Sequence, residues 1–520
     1  KEGTEQWREG LPLLRINREV VKRQGAEPFR CGNLFAGSLL NLAPDTRYEV
    51  RLILSDPDGG RSEKRLMAAT RGEPLFVNGK RQLHLYPPGY SGPRNEPGFE
   101  DLHTAMRDCR AGDVILLHAG TYPGNFRLSA SGTVENPIVF RAAGDGEAIV
   151  AGTDGNELVF DVQGRHHVWF ERLVIRNGST AIKANGSRGL VVRRCRIEEV
   201  NNGVISYASN AADWFIADNV ITGRVEKWYP RRESSDTAIS CAGSGHVISH
   251  NRIRRFWDGI STANCGVIPA EFATAGQPPQ MAIDIDHNDI SEMLDDGIET
   301  DDTLHNIRVL ENRLMNVHTG LSVQPHLGGP LYLIRNAIYN TTYTPLKLHN
   351  HPTGVLIFHN TWMGADQGLE SWPPTWRNAT LRNNLIIGAR GYAIETGSPD
   401  PHTTLDYNGW RQADPSHLIK WSTDAGASWS RFESLAAFQK ATGHETHGLT
   451  IDYGDFLQAA APLKGETYPV SVIDLRLRPE SRSIDAGIRL PMINDDFSGH
   501  APDMGSYEAG KPLPVYGPRE

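Results

Sequence analysis

Asn288-Asp289-Ile290, Asn312-Arg313-Leu314, Asn336-Ala337-Ile338, Asn360-Thr361-Trp362, Asn384-Leu385-Ile386 and Asn408-Gly409-Trp410 fall at one fixed spacing, 24 residues at every step. A period of this length marks a stack of repeated coils, each covering its neighbour's apolar face. Side-chain amides at a turn can bond up and down such a stack, so the asparagines are expected to form a ladder that holds the coils in register.

Working outward, a small residue followed by an apolar one recurs at Ala181-Ile182, Gly203-Val204, Ala238-Ile239, Gly259-Ile260, Gly297-Ile298, Gly320-Leu321, Pro345-Leu346, Gly368-Leu369 and Ala393-Ile394. Neighbours on a strand alternate faces. With the aligned Ile, Val or Leu inside, the small residues before it are expected to leave a shallow outer floor. The residues after it, Lys183, Ile205, Ser240, Ser261, Glu299, Ser322, Lys347, Glu370 and Glu395, are expected to face out, as are Asp301, Gln324, His349 and Trp372 two positions further on. With coils ~4.8 Å apart this makes a polar strip for an extended polymer. The fold class is all-β, a parallel β-helix of about 24 residues per coil.

Composition agrees. The 520 residues carry 39% apolar and 22% charged residues with 52 Gly and 32 Pro, a turn-rich globular pattern. A net charge of −9 gives no nucleic-acid footprint, and no apolar run approaches the ~18 residues that span a bilayer. The five cysteines, Cys31, Cys109, Cys195, Cys241 and Cys265, lack metal or redox spacing and read as small buried hydrophobes. The polar opening Lys1-Glu2-Gly3-Thr4-Glu5 reads as a mature or trimmed start. A monomer is expected.

Four regions are expected: 1–72, 73–125, 126–410 and 411–520. In the first, Leu42 to Tyr48, the alternating Glu49 to Leu54 and the turn Asp56-Pro57-Asp58-Gly59-Gly60 resemble the last strands of a fibronectin type III domain, with Tyr48 at its tyrosine corner. This implies a small, incomplete β-sandwich. In the second, Phe99 to Met106 has helical spacing, and Ala111 to Tyr122 reads as a Gly-Asp turn, an apolar strand and Gly-Thr-Tyr. That order resembles the entry segment of right-handed parallel β-helix polysaccharide lyases, the helix covering the first coil's open edge. In the last, Ser430 to Lys440 predicts a short helix, Trp410, Trp421 and Trp429 are cap core or groove wall, and Asp495 to Glu508 resembles the closing segment of secreted bacterial β-helix proteins. That resemblance implies a secreted or periplasmic protein.

Candidate chemistry centres on Asp295-Asp296-Gly297-Ile298-Glu299-Thr300-Asp301-Asp302, five carboxylates in eight residues. Asp295, Asp296 and Glu299, with Asp258 from the coil below, are candidate oxygen ligands for Ca²⁺. The Asn219–Asn251 and Asn251–Asn288 intervals are 32 and 37 residues, so insertions bulge out just before this coil. The first carries Arg224-Val225-Glu226-Lys227-Trp228-Tyr229-Pro230-Arg231-Arg232, a cationic wall for an anionic glycan.

Asp295-Asp296-Gly297-Ile298-Glu299, followed two coils later by Pro345-Leu346-Lys347-Leu348, resembles the calcium-dependent pectate lyases of the ninth polysaccharide lyase family. The resemblance implies Asp258, Asp295, Asp296 and Glu299 as calcium ligands, with Glu299 standing where the family has Asp, and Lys347 as the base of a β-elimination on a uronate polymer. His349 is a second base candidate. His318, Gln324, Trp372, Arg231 and Arg232 are candidate substrate contacts. Two readings stay open beside it. Glu299 and Asp301, alternate residues ~6.6 Å apart by strand rise, resemble the Glu-x-Asp pair of β-helix carrageenases and could serve a glycoside hydrolase. A non-catalytic glycan-binding solenoid is the third.

Overall fold

Residues 1–17, 20–21, 29–30, 32–262, 281–326, 328–411 and 418–520 are described by the structure, a computed structural model. Among the described residues two long sheets, of 21 and 13 strands and parallel but for the pairing of Ile419–Ser422 with Ser430–Phe432, run the length of a β-solenoid. The predicted coil register holds. Ile182, Val204, Ile239, Ile260, Ile298, Leu321 and Leu346 pair in sequence from coil to coil, and none is more than 1% exposed. The first coil is covered by the helix Leu102–Asp108, capped when the Asp101 side chain accepts the Thr104 N–H, and the strand Asp113–Leu117 follows.

The asparagine corner forms by two devices. The residue before each asparagine, among them His287, Glu311, Arg335, His359, Asn383 and Tyr407, takes the left-handed conformation that turns the chain. The amide Nδ2 of each asparagine then donates to Oδ1 of the next: Asn288 to Asn312 at 2.9 Å, Asn312 to Asn336 at 3.0 Å, Asn336 to Asn360 at 3.1 Å and Asn384 to Asn408 at 2.8 Å. The ladder begins at Asn219 and ends on Glu445, whose carboxylate takes both the Asn408 backbone N–H and its amide.

The expected floor of small residues is instead a buried seam. A Cβ at Gly259 would fall 2.4 Å from the Gly297 carbonyl oxygen, and one at Gly320 would fall 2.5 Å from that of Pro345. The small residues answer crowding between coils, where the chain rounds a corner and simple alternation of faces does not apply.

Residues 1–72 do not form a layered sandwich among the described residues. Leu14–Asn17 pairs with Asn33–Ala36, and Arg47–Ser55 forms a separate hairpin with Arg61–Ala69. Val20–Val21 pairs with Phe29–Arg30, and three separate two-stranded pairs do not make two stacked sheets, although the Tyr48 hydroxyl does accept the Ala43 N–H at 2.8 Å, as a tyrosine corner would. At the other end the helix Leu435–Thr442 seats Phe438 against Trp421 in the main core. The final segment then runs back along the solenoid, where Gly505 bonds Asn383, Gly517 bonds His287, and Arg519 pairs with Asp218. Cys109, Cys195 and Cys241 are free and buried as expected. Cys31, Cys265 and most of the second insertion lie outside the described residues. No described helix is long and apolar enough to cross a membrane.

Candidate active site

Three neighbouring strands, Asp289–Glu299, Arg313–Val323 and Ala337–His349, set the site, with Asp258–Ser261 beneath them. Glu299, Ser322 and Lys347 stand in direct register on consecutive coils, and Ser261 stands below Glu299. Because the coils fix this register, residues far apart in sequence meet side by side.

Asp258, Asp295 and Asp296 each bring a carboxylate oxygen into a group whose members all lie within 4.8 Å of one another. The Asp296 N–H donates to Asp258 Oδ1 at 3.2 Å, tying the lower coil to the upper. Lys347 Nζ lies 2.9 Å from Asp296 Oδ2, with its side chain only 13% exposed. Arg231, reaching in from the inserted loop with its guanidinium over the Trp257 ring, donates to Asp295 Oδ2 at 2.8 Å. The loop thus brings Arg231 to the acid cluster.

Two expectations change here. Glu299 lies outside the close trio, its carboxylate accepting from Ser261 Oγ at 2.6 Å. Asp301 is 5% exposed and accepts from Ser322 Oγ at 3.0 Å. The strand ends at Glu299, so Asp301 sits on the following turn and folds against the protein instead of facing out.

Five carboxylates, those of Asp258, Asp295, Asp296, Glu299 and Asp301, therefore share a small volume with two cations, Lys347 and Arg231. Burial, then Glu299 and the paired aspartates, raises Asp258 well above the usual carboxylate range. Burial and Asp296 push Asp295 up to about 6, against the pull of Arg231. Glu299 likewise rises to about 6, and Asp301 rises well above the usual range through burial and Glu299. Burial alone would lower Lys347, but Asp296 and Asp301 outweigh it and hold the ammonium form. An excess of close, buried oxygen donors is the set a hard divalent cation takes, so Asp258, Asp295 and Asp296 fit such an ion.

Further along, His349 Nε2 pairs with Glu370 Oε2 at 2.8 Å. Trp372 is in register with His349 and 62% exposed, which suits a stacking platform. His318 stacks on Tyr343 with ring centroids 5.6 Å apart and bonds Thr342 Oγ1 through Nδ1 at 2.9 Å. Burial, followed by Arg231, brings its pKa down to about 4, so its imidazole is neutral at pH 7. Gln324 is half-buried at the edge of the cleft. Arg232 turns back onto its own loop, donating to the Lys227 carbonyl at 3.3 Å, and leaves the acid cluster to Arg231. Of the tryptophans, Trp410 and Trp421 are core, whereas Trp429 lies against Lys420 at 4.6 Å.

Sequence reasoning missed Tyr343, which bonds Glu370, and Lys464, which pairs with Asp366 at 3.1 Å from a segment far along the chain. Tyr343 lies one outward position beyond the columns considered. Nothing local in the Lys464 segment points to the cleft.

Fold and site together define a parallel β-solenoid with a cleft in which clustered carboxylates surround a buried lysine. No family model and no curated protein matches the chain. Solved structures similar to it include pectate lyase Pel9A, 15% identical over 83% of this chain and 97% of that one, with a TM-score of 0.42. Alginate lyase AlyGC of the PL6 family is 12% identical over 83% and 60%, with a TM-score of 0.40. A mannuronic-acid-specific family 6 lyase from human gut microbiota is 13% identical over 72% and 92%, with a TM-score of 0.38.

Proposed function

We propose that the chain is a polysaccharide lyase that cleaves a uronic-acid-containing glycan by β-elimination, with Lys347 as the base. The observation that carries this reading is the placement of Lys347, 2.9 Å from Asp296, which also belongs to the close trio with Asp258 and Asp295. In β-elimination the sugar carboxylate must be neutralised while a base takes the proton beside it. A divalent cation held by Asp258, Asp295 and Asp296 would supply positive charge for the substrate carboxylate and draw Asp296 away from Lys347.

The chain's own groups do the rest. Arg231 fixes Asp295 and offers a second positive charge at the cleft wall. Asp296 keeps Lys347 in place and protonated until substrate enters. Lys347 would first release its ammonium proton to solvent as the hold of Asp296 on it weakens; the amine then takes the proton next to the carboxylate, the bond to the departing sugar oxygen breaks to leave the unsaturated end, and the ammonium can return a proton to that oxygen. Burial around Lys347 disfavours the charge in the same direction. Trp372 gives an apolar face for a sugar further along the strip.

The hydrolase reading loses support from the same geometry. Asp301 is buried on the turn after the strand and accepts from Ser322 Oγ, so it does not face the strip beside Glu299 as an acid and base pair across a scissile bond would.

Incubation with polygalacturonate and with alginate tests the proposal. Unsaturated sugar ends are expected from at least one polymer, and a calcium chelator is expected to abolish them. New reducing ends without unsaturation would transfer the reading to hydrolysis. Binding with no cleavage would leave a glycan-binding solenoid.

A further inference from the structure

The cleft wall beyond the acid cluster is built from two remote pieces of chain. One is the inserted loop with Arg231. The other, around 460–468, belongs to the C-terminal excursion. Trp228 Nε1 donates to Thr467 Oγ1 at 2.9 Å and joins them. A Cβ at Gly465 would fall 2.3 Å from the Tyr229 ring, so the residue beside Lys464 must be glycine for the two pieces to touch.

The excursion is docked by buried side chains. Asn340 Nδ2 donates to the Glu466 carbonyl at 2.7 Å. Asn316 gives its amide to the Tyr468 carbonyl at 2.9 Å and accepts the Tyr468 N–H at 3.0 Å. Both asparagines are buried on the strands that carry His318 and Lys347. The position of Lys464 is thereby set by the same strands that set the site.

Lys464 is 36% exposed and forms one ion pair among the described residues, with Asp366, itself 38% exposed. Asp366 lies beside Tyr343 on the next coil, as the Gln367 N–H to Tyr343 carbonyl bond shows. Along this edge, coil by coil, stand Asp295 with Arg231, then His318, then Tyr343, then Asp366 with Lys464. Three coil steps at ~4.8 Å put the two cations roughly 14 Å apart, about the length of a few sugar units. Between them lies the stacked His318–Tyr343 pair, a flat, polar-edged surface.

We infer that Lys464 is a specificity residue: it reads the carboxylate of a second uronate, a few sugars from the one held at the acid cluster, so that the cleft selects polymers with runs of acidic sugars. This rests on the proposed lyase activity. Lys464 has three N–H donors and, among the described residues, one ion-pair partner, Asp366, so donors remain for a second carboxylate. Its charge is close enough to depress the His318 pKa, which places it within reach of the strip.

Initial rates of the full chain test this, on whichever of polygalacturonate and polymannuronate the wild type cleaves and on the same polymer with half of its carboxylates methyl-esterified. Lys464→Gln is expected to raise KM about tenfold on the fully acidic polymer with kcat within twofold, and the ratio should shrink toward one on the esterified polymer. Lys464→Arg should restore KM. Asp366→Asn, which removes the competing carboxylate, should lower it. An unchanged KM for Lys464→Gln, or an equal loss on both polymers, would overturn the inference. If Lys464→Gln disturbs the excursion, Asp366→Asn decides alone, since a KM that does not fall contradicts the role. A wild type that yields unsaturated ends from neither polymer overturns the lyase reading itself, and this inference with it.

Discussion

Two lines of polar side chains run along this solenoid, and they are built on opposite terms. In the asparagine ladder every amide both gives and takes hydrogen bonds, carries no charge and is fully buried. At the acid cleft the same coil spacing stacks groups that repel. Asp258 from one coil meets Asp296 and Glu299 from the next, with Lys347 and Arg231 the cations that balance them among the described residues. The ladder uses the repeat to satisfy every polar atom, whereas the cleft uses it to hold unbalanced charge in place. Buried polar groups are tolerated when bonded and costly when not, so the first line stabilises the fold and the second costs it stability.

The contrast breaks most severely in the ladder. Asn336→Leu leaves the Asn312 N–H and amide without their acceptor and the Val309 carbonyl without its donor. A loss of about 3 kcal/mol or more is expected in urea unfolding, with any glycan cleavage by the folded fraction unchanged. Comparable cost without a ladder defect would be expected nowhere on the exposed surface.

The ladder's end is its one charged point, and it gives a pH test. Burial pushes Glu445 up to about 8. Its folded pKa exceeds its unfolded value, so the folded state binds the proton more tightly. Stability is fully present below about pH 4.5 and falls as pH rises through about 8. Glu445→Gln removes the titration but keeps only one of the two oxygens that accept from Asn408, so it is expected to start less stable at low pH and to flatten the fall as pH rises through about 8. Parallel pH profiles of mutant and wild type would contradict this.

On the cleft side the expected sign is the same. Asp301 is raised by burial and by Glu299, so its ionisation opposes folding as pH rises. Asp301→Asn can still accept from Ser322. Melting is expected to show the variant gaining on the wild type as pH rises, with the gain lost in acid below the ordinary carboxylate range. A destabilised Asp301→Asn would mean that the carboxylate charge supports the fold.

Much of this was legible before any coordinates. The 24-residue spacing set the coil register, and the ladder and the column from Lys183 to Glu395 follow it step for step. Alternation of faces failed where the chain turns. The glycine column became a buried seam because the strands round a corner there, and Asp301 left the strip because its strand stops at Glu299. The N-terminal motif around Tyr48 kept its local bond without the sandwich it suggested. Lys464 was invisible because contacts between a solenoid and a returning excursion carry no period.

The central claim is that Lys347 takes the proton, and chemical rescue tests it most directly. Lys347→Ala is expected to lower the formation of unsaturated ends by about 10³-fold, and added methylamine should restore part of the rate as its free-base concentration rises with pH. A Lys347→Ala variant that keeps the wild-type rate, or a folded variant that no small amine rescues, would contradict the assignment.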